Sequence, residues 1–499
     1  MVSSNDDVSQ TIPRRGSPRE AQRIGVLLLA GSPGTPDTLR AARVVQLGDG
    51  LDIGRRPPTP DGRRALALPD RTVSSLHARV TRLATGPDKS DSFEITDLGS
   101  TNGTYVDGQR LTGPQTLRPG ALIFVGSQVM VFRLVTPLEL AAIDEDIATP
   151  FAPVPTLSPT LATMCSRLRR LASSRAEIYL LGETGVGKEV FARGIHAASG
   201  RQGNLVAINC AAIPRELVES ELFGYDKGAH STAQNRKVGF IESAQGGTLF
   251  LDELGEMPME LQPKLLRFLQ DRKFSPLGST RVIEADVRII AASSRAAMAK
   301  AGNVQDALVG RLGAQPVQLP PLRERLEDLG RLVEFFLRDM RAAETTTPRV
   351  FETEAFHALF LYNWPLNVRE LQKTVVEAEV LSRGQSIIGF SHLPDVLAAL
   401  LEPSADTGHS SVSSTRDFPK RGEGDGEAGI PEHGDEATTA RTRRPAPTAD
   451  ELTTLLRQYR GSVAHVARHL DRQYAVVWRC LQRYGINADD FRSPSSGEN

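Results

Sequence analysis

The sequence predicts a multidomain chain: an N-terminal β-sandwich, a central α/β domain and an all-α C-terminal part. Three observations predict it. From Ile24 to about Leu134, short apolar runs alternate with Gly, Pro and Asp turns, the spacing of a sandwich. From about Ser158 to Leu401, strand-like runs alternate with longer helical patterns, the mark of an α/β domain. After Leu452, apolar residues return at helical spacing.

Composition sets the outer bounds. The 499 residues fit about three domains. Hydrophobic content of 40% and charged content of 24% are those of ordinary soluble globular chains. A net charge of -1 means that nucleic-acid contact must come from a local basic patch. Cys165, Cys210 and Cys480 lie far apart at no metal-ligand spacing, which points to a reducing compartment. The polar start "MVSSNDDVSQTIPRR" lacks a signal-peptide core, and runs such as "IGVLLLAG" are too short to span a bilayer. A cytoplasmic protein without a membrane partner is expected.

Residues 1–23 are polar and predicted disordered. Residues 24–135 hold the strand-like runs "RIGVLLLA", "ARVVQLG", "HARVTRL", "SFEITDLG", "ALIFVG" and "VMVFRLV". Residues 136–157 form a Pro- and acid-bearing linker, and residues 158–400 the α/β domain. Residues 401–447 have too few apolar residues for a core and read as a tether. In 448–490 three helical sets follow: Leu452, Leu455, Leu456 and Tyr459; Val463, Val466, Ala467 and Leu470; Val477, Leu481 and Tyr484.

The central domain opens with "EIYLLGETGVGKE", an apolar strand running into a glycine-rich loop. Phosphate binding needs backbone N–H groups aimed inward, and glycines permit that tight loop. Gly182, Glu183, Thr184, Gly185, Val186 and Gly187 form the cradle, and Lys188 would neutralise the β- and γ-phosphates. Downstream, "GGTLFLDEL" delivers Asp252 and Glu253 to the end of a buried strand, where open α/β sheets place ligands. Asp252 suits Mg²⁺ and Glu253 suits polarising an attacking water. ATP and Mg²⁺ are the expected ligands. Glu189 stands where the general pattern has Ser or Thr.

The stretches "LVAINCAAIPRELVESELFGYDKGA", "RKVGFIESAQGGTLFLDELGEMPMELQPKLLRFLQDRKF", "LPPLRERLEDL" and "YNWPLNVREL" closely resemble the AAA+ domain of bacterial enhancer-binding proteins, the activators of sigma-54 RNA polymerase. The resemblance covers roughly 158–400, with a helical lid at about 326–400. Glu189 then fits, because that family carries "GKE". The resemblance implies a ring, usually a hexamer, that hydrolyses ATP to remodel a closed promoter complex into an open one. Lys188 would hold phosphate, Asp252 would serve Mg²⁺ and Glu253 would activate water. Asn209 would pair with Glu253 as a nucleotide-dependent switch, and Arg369 would sense nucleotide from the lid.

Departures from the family pattern are local. Of two arginines that usually reach a neighbouring subunit, the first position is Gln305 and the second is Arg311. Ser294 replaces a sensor Asn, and Leu366 replaces a Gly. Slow hydrolysis is expected. The family's sigma-54 contact loop reads Gly-Ala-Phe-Thr-Gly-Ala, whereas this chain reads "GAHSTA". His230 removes the apolar ring, Ser231 keeps the hydroxyl and Thr232 restricts any positive φ there.

"LDIGRR", "VSSLHARV" and "DLGSTNGTYVDGQRL" resemble the forkhead-associated (FHA) domain, a phosphothreonine-binding sandwich, through Gly54, Arg55, Ser74, His77 and Asn102. The resemblance implies that Arg55 and Ser74 bind the phosphate, with Thr101 assisting and Asn102 gripping the peptide backbone. The resemblance implies that His77 would brace these loops; Ser75 stands where an Arg is frequent. A phosphothreonine protein is the implied partner; the tether's "DEATTARTRR" is one candidate source.

The tail "ADELTTLLRQYRGSVAHVARHLDRQYAVVWRCLQRYGI" resembles a Fis-type helix-turn-helix. Arg460, Arg468, Arg472, Arg479 and Arg483 supply a basic patch. The recognition helix would run from Gln473 to Tyr484, with Arg472, Gln473, Tyr474 and Arg479 at DNA. Few polar side chains open it, so general DNA affinity is expected more than base readout. The favoured reading is an activator of sigma-54 RNA polymerase holoenzyme. Two others stay open: a nucleotide- and DNA-binding regulator that acts without sigma-54, and a phosphopeptide-binding scaffold.

Overall fold

The protein is described from a computed structural model, covering residues 23–33, 44–58, 64–83, 92–229, 233–294, 304–313, 316–342, 349–394, 396–397, 447–459 and single positions between 466 and 491. Two compact units divide the chain, residues 1–394 and 395–499.

The N-terminal sandwich has eleven strands: β1 Ile24–Gly31, β2 Val44–Gln46, β3 Gly50–Gly54, β4 Arg64–Ala67, β5 Ala78–Leu83, β6 Ser92–Asp97, β7 Thr104–Val106, β8 Gln109–Arg110, β9 Gln115–Thr116, β10 Leu122–Val125 and β11 Gln128–Val135. One sheet runs β2-β1-β11-β10-β7-β8 and the other β4-β3-β5-β6-β9. β1 and β11 are antiparallel, with Leu27 opposite Phe132 and Leu29 opposite Met130. Those four side chains face the inner core with Ile53, Val80 and Ile95. The alternate positions Val26, Leu28 and Val135 are buried in a second cluster with Leu140. Covering both faces explains why "VLLLA" is apolar throughout instead of alternating.

Residues 136–157, expected as a plain linker, instead begin with helix α1, Pro137–Ala148. Its start is a capping box: Glu139 N–H donates to Thr136 Oγ1 at 3.2 Å and Thr136 N–H donates to Glu139 Oε2 at 2.8 Å. Such a box satisfies two orphan donors at once. Ala142 and Ile143 then pack with Leu157 and with Ala162 of α2, Pro159–Ala172.

The α/β domain follows with β12 Ile178–Leu181, α3 Lys188–Ala198, β13 Leu205–Asn209, α4 Arg215–Phe223, α5 Phe240–Ser243, β14 Thr248–Asp252 and α6 Gln262–Asp271. A hairpin, β15 Lys273–Phe274 with β16 Ile283–Glu284, precedes β17 Arg288–Ser293, α7 Asp306–Leu312 and β18 Val317–Gln318. The sheet order β13-β14-β17-β12-β18 is parallel throughout. Apolar cores lie on both faces, so "TLFL" and "IIAA" are fully buried strands. A lid comprises α8 Leu329–Ala342, α9 Thr353–Leu361 and α10 Asn367–Leu381, with a short parallel ladder of β19 Val350–Phe351 and β20 Ile387–Ile388.

In the second unit, α11 runs Ala449–Gln458 from an N-cap at Thr448. Leu452, Leu455 and Leu456 share a core with Val466, Val477 and Leu481, members of all three helical sets read from the sequence. Arg472, Gln473, Tyr474 and Arg479 lie outside the described residues. Among the described residues no helix is long and apolar enough to cross a membrane.

Candidate functional site

The loop after β12 turns into α3 through two left-handed glycines, Gly185 at φ 79° and Gly187 at φ 103°. A Cβ on Gly185 would collide with the Leu366 carbonyl of the lid, so glycine is required twice over there. Val186 points into the core, whereas Thr184 and Glu189 are exposed. The Glu189 carboxylate is taken by Arg193 at 2.6 Å.

Lys188 is buried and its Nζ donates to the Gly182 carbonyl and to Glu253 Oε1, both at 3.3 Å. Asp252 ends β14, and its Oδ1 accepts the Glu253 N–H at 3.0 Å. Glu253 sits in the left-handed region at φ 50°, an uncommon conformation for a side-chain-bearing residue and one that concentrates at working sites. Burial raises the Asp252 carboxyl above the usual range; Lys188 opposes that shift and Glu253 adds to it. A half-buried carboxylate with incomplete compensation is a suitable ligand for a hard cation.

The expected Asn209–Glu253 pairing is absent from this arrangement. Asn209 lies opposite Asp252 in the sheet, but its Oδ1 accepts the Ala211 N–H at 2.9 Å and caps the following turn. Glu253 is held instead by Lys188 and by the Ser294 N–H, which donates to Oε2 at 3.3 Å. The Oδ1 bond holds the Asn209 side chain over its own turn.

The phosphate loop is held by Asn367, Arg323 and Arg325, which the sequence reading did not single out, and by Arg369, which it did. Asn367 is fully buried in the left-handed region at φ 56°. Its Oδ1 accepts the Leu322 N–H at 2.8 Å, and its Nδ2 donates to the Thr184 carbonyl at 3.0 Å and to Glu183 Oε2 at 3.2 Å. Arg323 grips the same Glu183 with two bonds, 2.8 and 2.6 Å. Arg325 donates to the Val186 carbonyl at 3.0 Å. Arg369 is exposed above the loop and its N–H donates to the Gly185 carbonyl at 3.3 Å. The visible signal was the density of charge in "LRER" and "NVREL", without indication of which loop it addressed.

Beside the loop is a mainly apolar cleft of about 110 Å³, whose lining includes Val154, Val186, Val190, Phe191, Phe335 and Val368. Its walls suit a flat heteroaromatic base, and it adjoins the N-terminus of α3, where backbone N–H groups favour anions.

Arg311 is exposed on α7, its Nη2 donating to the Leu269 carbonyl at 3.1 Å. Gln305 is the N-cap of that helix and its N–H donates to Gln262 Oε1 at 2.8 Å. The loop "GYDKGAHSTAQNRK" rises from a paired base, with Tyr225 and Lys237 exchanging backbone bonds of 3.1 and 2.9 Å. Its tip, His230, Ser231 and Thr232, lies outside the described residues.

On the sandwich, Arg55, Ser74, Thr101 and Asn102 sit on neighbouring loops. The Arg55 N–H donates to the Ser74 carbonyl at 2.8 Å, and the Thr101 N–H donates to Ser74 Oγ at 3.1 Å. Asn102 Nδ2 donates to the Thr72 carbonyl at 2.7 Å. The Arg55 side chain is exposed. His77 is wholly buried: its Nδ1 accepts the Ser74 N–H at 3.1 Å, which leaves Nε2–H to donate to the Gly103 carbonyl at 3.2 Å. Burial lowers the His77 pKa, with the Gly103 bond opposing that shift, so the ring is the neutral brace that this bonding needs.

Three family models match the chain: "Sigma-54 interaction domain" over residues 155–318, "AAA+ ATPase lid domain" over 323–409 and "FHA domain" over 51–126. The chain is 35% identical over 343 residues to the transcriptional regulatory protein GlrR of Escherichia coli, covering 68% of this chain and 69% of that one. It is 45% identical over 233 residues to the DNA-binding transcriptional activator HyfR of the same species, covering 46% of this chain and 35% of HyfR. A solved structure of NtrX from Brucella abortus in complex with ADP is similar at 28% identity over 70% of this chain and 72% of that one, TM-score 0.45. The sigma-54 interaction and lid models follow the FHA model without overlap, in the order in which the structure sets the sandwich, the α/β domain and the lid. The chain belongs to the sigma-54-dependent transcriptional activator family and carries an FHA domain ahead of its AAA+ domain.

Proposed function

We propose that this protein hydrolyses ATP between subunits of a ring, usually hexameric in this family, to remodel sigma-54 RNA polymerase, under the control of phosphothreonine recognition. The observation that carries the reading is the buried Lys188 ammonium paired with Glu253 beside Asp252, at the strand ends that the phosphate loop faces. Lys188 and the loop N–H groups would bind the phosphates, and the apolar cleft would hold the base. Asp252 would hold Mg²⁺, which when bound supplies charge neutralisation at the phosphates. Glu253 would leave Lys188 for an attacking water, orienting it and taking its proton. Arg369 from the lid and Arg311 from a neighbouring subunit would stabilise developing negative charge.

The loop cluster of Arg55, Ser74, Thr101 and Asn102 supports a phosphothreonine site, since a phosphate monoester needs short charge-assisted donors. The basic residues of the tail, Arg472 and Arg479 among them, support DNA contact near a promoter. A second reading, regulation of DNA without sigma-54, is favoured by one observation: His230, Ser231 and Thr232 replace the family's Phe, Thr and Gly at the polymerase-contacting tip.

The test is phosphate release from ATP by the full chain and by Lys188→Ala, followed by open-complex formation on a sigma-54 promoter. Turnover with promoter opening supports the first reading. Turnover without opening selects the second, and absence of turnover in the full chain overturns the enzymatic proposal.

A further inference from the structure

One turn of the chain, residues 325–328, touches three parts of the molecule with its three charged side chains. Arg325 reaches the phosphate loop at the Val186 carbonyl, 3.0 Å away. Glu327, wholly buried, accepts from Arg133 of strand β11 at 2.8 Å, and Arg133 also donates to the Glu324 carbonyl at 2.8 Å. Asp328, also buried, accepts the Thr156 hydroxyl at 2.6 Å and the Leu157 N–H at 2.7 Å. The sandwich, the connector and the phosphate loop thus meet on one turn.

The connector reaches the cleft itself. Asp146, buried near the end of α1, accepts the Phe151 N–H at 3.1 Å and the Thr156 N–H at 2.8 Å, and pairs with Arg169 at 3.0 Å. Those two bonds fix the strap 151–156. Val154 of that strap lines the cleft, and Phe151 stacks on Phe191 with ring centres 6.2 Å apart. The opposite wall comes from α8, Phe335 and Phe336. Gly330 at the start of that helix packs against Gly31 of β1. Both walls therefore rest on the N-terminal domain or its connector.

Arg133, Asp146 and Val154 lie outside both the FHA match and the sigma-54 interaction match, in the interval 127–154. We propose that the docked sandwich and its connector are part of the nucleotide cleft, with Arg133 and Asp146 as positioning residues that set nucleotide affinity. This rests on the nucleotide reading above. Removing Arg133 strips Glu327 of its cation in a buried place, which displaces the turn that holds the strap and the phosphate loop. Neither residue touches the hydrolytic groups, so binding weakens while the chemical step survives. By linkage, whatever undocks the sandwich lowers nucleotide affinity by the same factor as nucleotide opposes undocking.

The experiment uses the full chain, with mant-ADP fluorescence titration and ATP turnover as readouts. The variants are Asp146→Asn and Arg133→Met, the second of which leaves the buried Glu327 without its cation. Each is expected to raise the mant-ADP Kd and the KM for ATP about tenfold while kcat at saturation stays within about twofold. Arg133→Lys, which keeps a cation beside Glu327, and the double variant Arg133→Met/Glu327→Gln, which leaves no charge unpaired, should keep most of the affinity. Unchanged Kd in both variants, or a loss of kcat with Kd intact, overturns the proposal. Failure of the unaltered chain to bind mant-ADP would instead overturn the nucleotide reading on which it stands.

Discussion

Lys188 and Glu253 form an ion pair of 3.3 Å in which the lysine is buried and the glutamate partly exposed. The pair holds two groups of opposite duty, one for phosphate and one for water, and their separate removal has separate consequences. Lys188→Ala should abolish nucleotide binding and turnover together. Glu253→Gln should keep mant-ADP binding and lower turnover at least about 100-fold, the usual contribution of a positioned general base. Phosphate release beside a binding titration checks both, and a Glu253→Gln variant with normal turnover would remove Glu253 from the mechanism.

The sandwich loops make a second prediction. Arg55→Ala and Ser74→Ala each remove a donor to a dianionic phosphate and should weaken phosphothreonine-peptide binding about tenfold or more, with the fold intact. His77→Ala acts differently, since it leaves the half-buried Ser74 N–H and the buried Gly103 carbonyl without their imidazole. It should cost about 3 kcal/mol of stability through two lost bonds and a cavity. Urea denaturation with a phosphothreonine peptide library as the binding probe distinguishes the two classes.

What the sequence disclosed and what it withheld divide along chain distance. The phosphate loop, the Asp252–Glu253 strand end and the Ser74–His77 loop are contiguous stretches whose chemistry and backbone are written together. The clamp on Glu183 is not: its partners Arg323 and Asn367 are 140 and 184 residues away, and nothing local to Glu183 marks it as held. The connector is an intermediate case. Its Pro and acidic residues suggest a linker, and the Thr136–Glu139 capping box emerges only in the structure. Asp146 proves buried because two backbone N–H groups and Arg169 converge on it, a convergence that composition does not report. The Asn209–Glu253 pairing, taken from resemblance, gave way to a bond two residues along the chain.

Gly185 allows a test of how closely the lid bears on the loop. A Cβ there would strike the Leu366 carbonyl, whereas at Gly200, also left-handed at φ 68°, it would meet nothing within 4 Å. Gly200→Ala should cost only the backbone term, about 1 kcal/mol. Gly185→Ala should in addition push the lid away, breaking the Asn367 contacts and raising the mant-ADP Kd about tenfold or more. Equal effects of the two substitutions on nucleotide affinity would mean that the lid does not bear on the loop in solution.

His357 of α9 places an ionisable ring at the contact between lid and sandwich. Its ring centre is 4.7 Å from that of Phe124, and its Nε2 is buried without a hydrogen-bond partner among the described residues. Burial pushes its pKa down to about 4 from 6.5, with the Ser127 backbone offsetting part of the shift. The folded state therefore holds His357 neutral while the unfolded chain takes up a proton below pH 6.5. Its contribution to stability is full above that value and is lost as pH falls from 6.5 toward 4. Between pH 7 and pH 5 the loss from this residue alone amounts to about 2 kcal/mol. His357→Leu, which keeps the packing against Phe124 and cannot titrate, should resist acid by that margin relative to the unaltered chain. Urea denaturation of both proteins across that range measures the difference; a gap that stays constant with pH would show that the ring is solvated and the sandwich is not seated on the lid.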